Sequence, residues 1–400
     1  MGKRPALAVL SGIVLIAGGC AGHRTGDLTP VAASAQGASP VEVLVATTRA
    51  DAAEPPAGVM FSGQRGSALR FADIVVSIPP ESQRKSGEIQ WPSSSPGDPA
   101  HDFVTLRADK LELKPAIAYF DQRVAGARDA HVLVFVHGYN TNFEEAVYGF
   151  AQFVHDSNTP ELVPVLFTWP SRGRLFDYAY DRESALYSRD ALEVVLNAMA
   201  KNPKVKSISI VAHSMGNFLT VETLRQMAIR DRVLSPKIKD IVLASPDIDV
   251  DVFRRQIEQI EASDKAPPIT LLVSQDDRAL TFSRFIAGDA ARLGAIDPTA
   301  ERFRSILEKA HVQVIDLTKF DSNDPTNHRK FATSEFVKVI GRRLASGQTL
   351  ADSKITLGQA VVGAATKITS TVATAVAAPV SLFDPSATAP PDVQASSLLQ

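Results

Sequence analysis

The run SISIVAHSMGNFLTVETL, residues 207–224, decides the fold. Its first part is a short β-branched stretch of strand character, and its last part carries apolar residues at spacings of three and four, the helix period. Between them stands AHSMG, with small residues two before and two after Ser214. A strand that turns sharply into a helix brings two backbones together, and small residues fit that approach. The turn then lifts the serine hydroxyl above the sheet. Working outward, strand-like runs lie at 41–47, 74–78, 132–136, 163–167, 238–243, 269–273 and 312–315, and helical patterns at 144–155, 184–200, 215–229, 250–261 and 334–344. From Val132 onward strands and helices alternate, which predicts an α/β fold with a mostly parallel central sheet flanked by helices. Residues 51–128 are rich in Gly, Pro and Ser. They predict N-terminal antiparallel strands with long loops, 89–99 being the least ordered.

With 45% hydrophobic and 22% charged residues the 400-residue chain has the balance of a globular protein. Its 42 Lys and Arg against 44 Asp and Glu leave no positive field for nucleic acid. One cysteine, Cys20, excludes an intrachain disulfide and a Cys-based zinc site. Lys3 and Arg4 precede an apolar run at 6–17 that is too short for a permanent span, which predicts an export signal over 1–19. The run ends LIAGGC, residues 15–20, which resembles the lipobox of bacterial lipoproteins, where a cysteine after small residues is lipidated and becomes residue one. Ala17 stands where Leu is usual, so ordinary signal-peptidase cleavage is the alternative. The resemblance implies a membrane anchor on Cys20 in a bacterial cell envelope, and Ala21 in place of Asp resembles chains sorted to the outer membrane, facing the periplasm. Residues 20–40 are expected to be a flexible tether and 346–400 an Ala, Thr, Ser and Pro-rich tail. That leaves 41–345 as the folded domain.

The chemistry centres on Ser214 as nucleophile, the other reading being a helix N-cap. VFVHGYN, residues 134–140, ends another central strand. Its His-Gly pair resembles the loop that donates one backbone N–H to an oxyanion hole, the residue after the nucleophile donating the other. This makes Tyr139 and Met215 the expected donors, with His137 and His213 holding their loops by hydrogen bonding. In this arrangement the acid and then the base follow the nucleophile in the chain, so only His311 and His328 qualify as base. His311 begins the apolar run HVQVID, whereas His328 stands in the polar loop DSNDPTNH before the last helix, where a solvent-reaching base belongs. The acid follows a strand: Asp277, after ITLLVSQD, is favoured over Asp247, after IVLASP, with Asp276 a minor candidate.

FVHGYNTNFEEA at 135–146, PVLFTWPSRG at 164–173, DRESA at 181–185, AHSMGN at 212–217, LASPDID at 243–249 and SQDDRAL at 274–280 together resemble the bacterial α/β-hydrolase family of unknown function DUF900. VATTR at 45–49 matches as well. The resemblance implies the α/β-hydrolase fold and a serine hydrolase, grouped with esterases and lipases. Ester cleavage through an acyl-enzyme is the expected reaction, on a small ester or acyl substrate and without metal or organic cofactor. Amide or peptide hydrolysis would use the same groups, and an envelope scaffold that lost turnover is the non-enzymatic alternative. The stretch 169–184 adds Phe176, Tyr178 and Tyr180, expected to line a cap over the substrate. Arg172, Arg174 and Arg182 are candidates for an anionic substrate group.

Overall fold

The computed structural model describes residues 26–345, except 54, 56, 264, 265, 310 and 311. The export signal, Cys20 with its lipidation, the tail and His311 lie outside the described residues. In chain order the elements are β1 (Ser39–Asp51), β2 (Phe61–Ile78), β3 (Val104–Leu111), α1 (Leu113–Gly126), β4 (His131–Val136), α2 (Phe143–Ser157), β5 (Leu162–Thr168), α3 (Tyr178–Tyr187), α4 (Arg189–Lys201), β6 (Ser207–His213), α5 (Met215–Asp231), β7 (Ile238–Ala244), α6 (Val250–Glu261), β8 (Ile269–Val273), α7 (Arg278–Ile286), α8 (Glu301–Lys309), β9 (Gln313–Asp316) and α9 (Ser334–Ala345).

The strands form one sheet in the order β3-β2-β1-β5-β4-β6-β7-β8-β9. The pairs β1/β2 and β2/β3 are antiparallel and every other neighbouring pair is parallel. This is the mostly parallel α/β arrangement, with antiparallel N-terminal strands, that the sequence predicts. Because helices cover both faces, the central strands read as unbroken apolar runs, and β4, β5 and β6 are buried along nearly their whole length. Their carboxyl ends deliver His137, Trp169 and Ser214 to one edge of the sheet.

Four features depart from the sequence expectations. A helix, α1, stands where only strands and loops are expected; Pro115 sits in its first turn, where the missing N–H is not needed, and Leu113 and Ile117 are exposed, which blurs its periodicity. The single helical pattern at 184–200 is two helices, broken at Ser188, whose hydroxyl bonds back to Ser184 O at 2.8 Å and across to Thr48 Oγ1 at 2.7 Å. α7 and α8 are additional helices in the region after β8. Finally, residues 26–38, expected within the flexible tether, pack on the body: Leu28 is buried, Asp27 O accepts from the Tyr148 hydroxyl at 2.7 Å, and Val31 N–H donates to Thr105 O at 2.8 Å.

That docked segment faces Glu144 in the first turn of α2, which is 2% exposed. Burial pushes its carboxyl up to about 7, against the pull of its own backbone N–H and of Arg49. An acid whose folded pKa is raised holds its proton in the native state while the unfolded chain has lost it. Stability therefore falls as pH rises from about 4.5 to about 7, by up to roughly 3 kcal/mol. Glu144→Gln is expected to raise the Tm at pH 8 while changing it little near pH 4.5. An equal shift at both pH values would contradict this.

Candidate active site

Ser214 occupies the turn between β6 and α5 with φ 52° and ψ −122°, a conformation that side-chain-bearing residues rarely adopt. Its backbone is held on both sides: its N–H donates to Ala244 O at 3.0 Å, and its carbonyl accepts from Asn217 Nδ2 at 3.0 Å and Asp247 N–H at 3.2 Å. Its side chain makes no capping hydrogen bond, which removes the N-cap reading. The glycines have a steric cause. A Cβ on Gly216 would stand 2.3 Å from His137 O, and one on Gly138 would stand 2.8 Å from His213 Nδ1 and 2.9 Å from Ser214 Cβ. The β4 loop therefore lies directly against the serine turn.

Of the two strand-end carboxylates, Asp277 is the one paired with an imidazole: Asp277 Oδ2 lies 2.7 Å from His328 Nδ1. Its other oxygen accepts Leu280 N–H at 2.9 Å and caps α7, and the residue is fully buried. The loop carrying His328 is built by acids. Asp324 accepts the N–H groups of Thr326 (3.1 Å), His328 (2.7 Å) and Arg329 (2.9 Å), and Asp276 binds Lys330 Nζ at 2.8 Å and Asn327 Nδ2 at 2.9 Å. Asp276 thus anchors the loop without reaching the imidazole. Asp247 lies in a separate buried cluster, accepting from Ser283 Oγ at 2.5 Å and from the Tyr178 hydroxyl at 2.9 Å, with Arg292 Nε 3.4 Å away.

His213, expected to hold its loop by hydrogen bonding, bonds to the His328 backbone and packs against its neighbours. Its ring lies 4.7 Å from both the His328 and Phe331 rings, and Nε2 is buried without a hydrogen-bond partner. Burial first, and the neighbouring His328 second, hold its pKa well below the usual range, so it is neutral. This contact places His328 beside the serine turn.

His137 does bond as expected. Trp169 N–H donates to Nε2 at 3.1 Å, which leaves Nδ1–H to donate to Gly138 O at 2.8 Å. Burial and Arg49 push its pKa down to about 3, so it stays neutral. Because the peptide is planar and trans, fixing the Gly138 carbonyl on His137 turns the Tyr139 N–H the opposite way. Met215 N–H belongs to the first turn of α5, where intrahelical acceptors are lacking.

Two residues that sequence reasoning did not single out brace these loops. Arg49 is buried, at a register shift of β1 that breaks the alternation and turns its side chain inward. It donates to Thr168 Oγ1 (2.9 Å), Ser171 O (2.8 Å) and Thr141 O (2.9 Å). Asp181 accepts from Ser171 Oγ at 2.5 Å and Arg172 N–H at 2.9 Å. The only signal for either was its place in VATTR and DRESA.

The expected aromatic cap does not form as a cluster. Tyr178 is buried against Asp247 and Ser283, while Tyr180 lies under the Arg172 guanidinium at 3.5 Å and donates to Gly63 O. Phe176 alone is free, at 92% exposure. Of the three candidate arginines, Arg172 packs on Tyr180 and Arg182 on Phe218, at 4.1 Å. Arg174 contributes its carbonyl, which accepts from the Tyr139 hydroxyl at 3.3 Å.

Residues 115–343 match the model of a family described as alpha/beta hydrolase of unknown function (DUF900). An uncharacterized protein of Nostoc sp. is 28% identical over 138 residues, a stretch covering 28% of this chain and only 36% of that relative. Among solved structures, Est1E from Butyrivibrio proteoclasticus aligns at 12% identity and TM-score 0.35, covering 56% of this chain and 91% of its own. The Pyrobaculum calidifontis esterase aligns at 13% and 0.33, covering 59% and 93%.

Proposed function

Because the chain belongs to the alpha/beta hydrolase family of unknown function DUF900, we propose that it is a serine hydrolase that cleaves carboxylic esters through an acyl-enzyme. The observation that carries this reading is the pairing of His328 Nδ1 with the buried Asp277 carboxylate, beside a serine held in a strained turn. His328 takes the Ser214 proton as the hydroxyl oxygen attacks the ester carbonyl, and Asp277 holds the imidazole in the tautomer whose Nε2 can accept. The carbonyl oxygen becomes the oxyanion, received by the backbone N–H groups of Tyr139 and Met215. The proton then passes to the departing alcohol, and water, activated by the same histidine, releases the acid.

A fluorophosphonate tests the reading directly, since it reacts with an activated serine. The expected result is a single adduct on Ser214, located by peptide mass, together with turnover of p-nitrophenyl esters exceeding that of matching anilides. No adduct and no turnover would favour the non-catalytic scaffold, and faster anilide cleavage an amidase.

A further inference from the structure

Beside His328 the structure holds a cavity of about 320 Å³, whose lining includes Gly138, Asn140, His213, Trp91, Phe331 and Arg329. Arg329 directly follows His328 in the chain, and both side chains line this space. The guanidinium lies over Gly149 of α2, where a Cβ would stand in ordinary contact, 3.8 Å from Arg329 Nη2.

The charges around it are unequal in their partners. The acids acting on Arg329 are Asp324 and Glu145. Asp324 is occupied by three backbone N–H groups of its own loop, and Glu145 accepts Asn142 N–H at 3.1 Å in the capping box of α2. Among the described residues no carboxylate comes within 4.0 Å of the Arg329 guanidinium and no side-chain hydrogen bond holds it. The Arg329 side chain is exposed and lines this cavity together with Asp324 and Glu145, whose oxygens are already engaged, and its planar fork of N–H donors matches a carboxylate or a phosphate.

We infer that this cavity is a subsite for an anionic group on the substrate, bound by Arg329, so that the preferred substrates are short acyl esters carrying a carboxylate or phosphate near the scissile bond. The substrate class rests on the hydrolase reading above, whereas the anion site itself does not. Two measurements separate them. In the first, glutarate and inorganic phosphate are titrated calorimetrically into Ser214→Ala protein, which needs no turnover. Binding is expected, weakened at least tenfold by adding Arg329→Gln and retained in part by Arg329→Lys. Whichever anion binds more tightly identifies the group the site takes. In the second, kcat/KM is compared for mono-p-nitrophenyl glutarate and p-nitrophenyl butyrate. The ratio of anionic to neutral ester should fall about tenfold in Arg329→Gln, mainly through KM. Anion binding that is absent, or equal in the Arg and Gln forms, overturns the subsite. If neither ester is cleaved while glutarate or phosphate binding depends on Arg329, the hydrolase reading fails and the anion site stands.

Discussion

Ser214→Ala should lower kcat on a p-nitrophenyl ester by about 10,000- to 1,000,000-fold, and adding His328→Ala should lower it hardly further. Residues of a nucleophile and base unit fail together, because a base with no hydroxyl to deprotonate contributes nothing and a hydroxyl with no base is a weak nucleophile. The residual rate comes from the oxyanion donors and substrate binding, which neither change removes. The structure gives each group a position independent of the other: Ser214 is held through its backbone by Ala244 and Asn217, and His328 by Asp324 and Asp277. Both variants should therefore fold, as checked by thermal melting. A Ser214→Ala enzyme retaining a tenth of wild-type kcat would rule out the serine as nucleophile. Two large losses that multiply in the double variant would show that Ser214 and His328 act in separate steps.

The parts of this molecule legible in its sequence are those where one physical demand dominates. β4 to β8 are buried on both faces, so their apolar runs announce them, and the serine turn is marked by the small residues that close backbone approach requires at Gly216. α1 and β3 are obscured because each has a solvated face inside a Gly and Pro-rich stretch. The docking of 26–38 was hidden for another reason: it depends on backbone carbonyls and amides meeting Tyr148 and Thr105, and backbone groups leave no trace in composition. Arg49 shows the same limit at the candidate site. An arginine two residues past a predicted strand end looks solvated until a register shift in the strand turns it inward. Its partners are then three carbonyls and a threonine hydroxyl, with no acid to signal the pairing. The preference for Asp277 over Asp247, drawn from strand order, turns in the structure on which carboxylate meets the imidazole.

That choice yields the second large effect. Asp277→Asn should reduce kcat by about 10,000-fold, because an amide presented to Nδ1 favours the wrong imidazole tautomer while preserving the shape of the site. Its stability change should be small, since the amide oxygen can still accept Leu280 N–H and cap α7. Asp247→Asn should behave in the opposite way. It withdraws the charge facing the buried Arg292 and weakens the bonds from Ser283 and Tyr178, and a buried cation left without its partner costs about 3–5 kcal/mol. The Tm should fall by many degrees. The kcat of the folded fraction should stay within a few-fold of wild type, because the contact of residue 247 with the serine turn is its backbone N–H to Ser214 O, which the substitution keeps. Measuring Tm and kcat on both variants separates the roles: loss of kcat at Asp247→Asn with Tm unchanged would move the acid one strand earlier, and a cold-stable Asp277→Asn enzyme with normal kcat would remove the carboxylate from the mechanism.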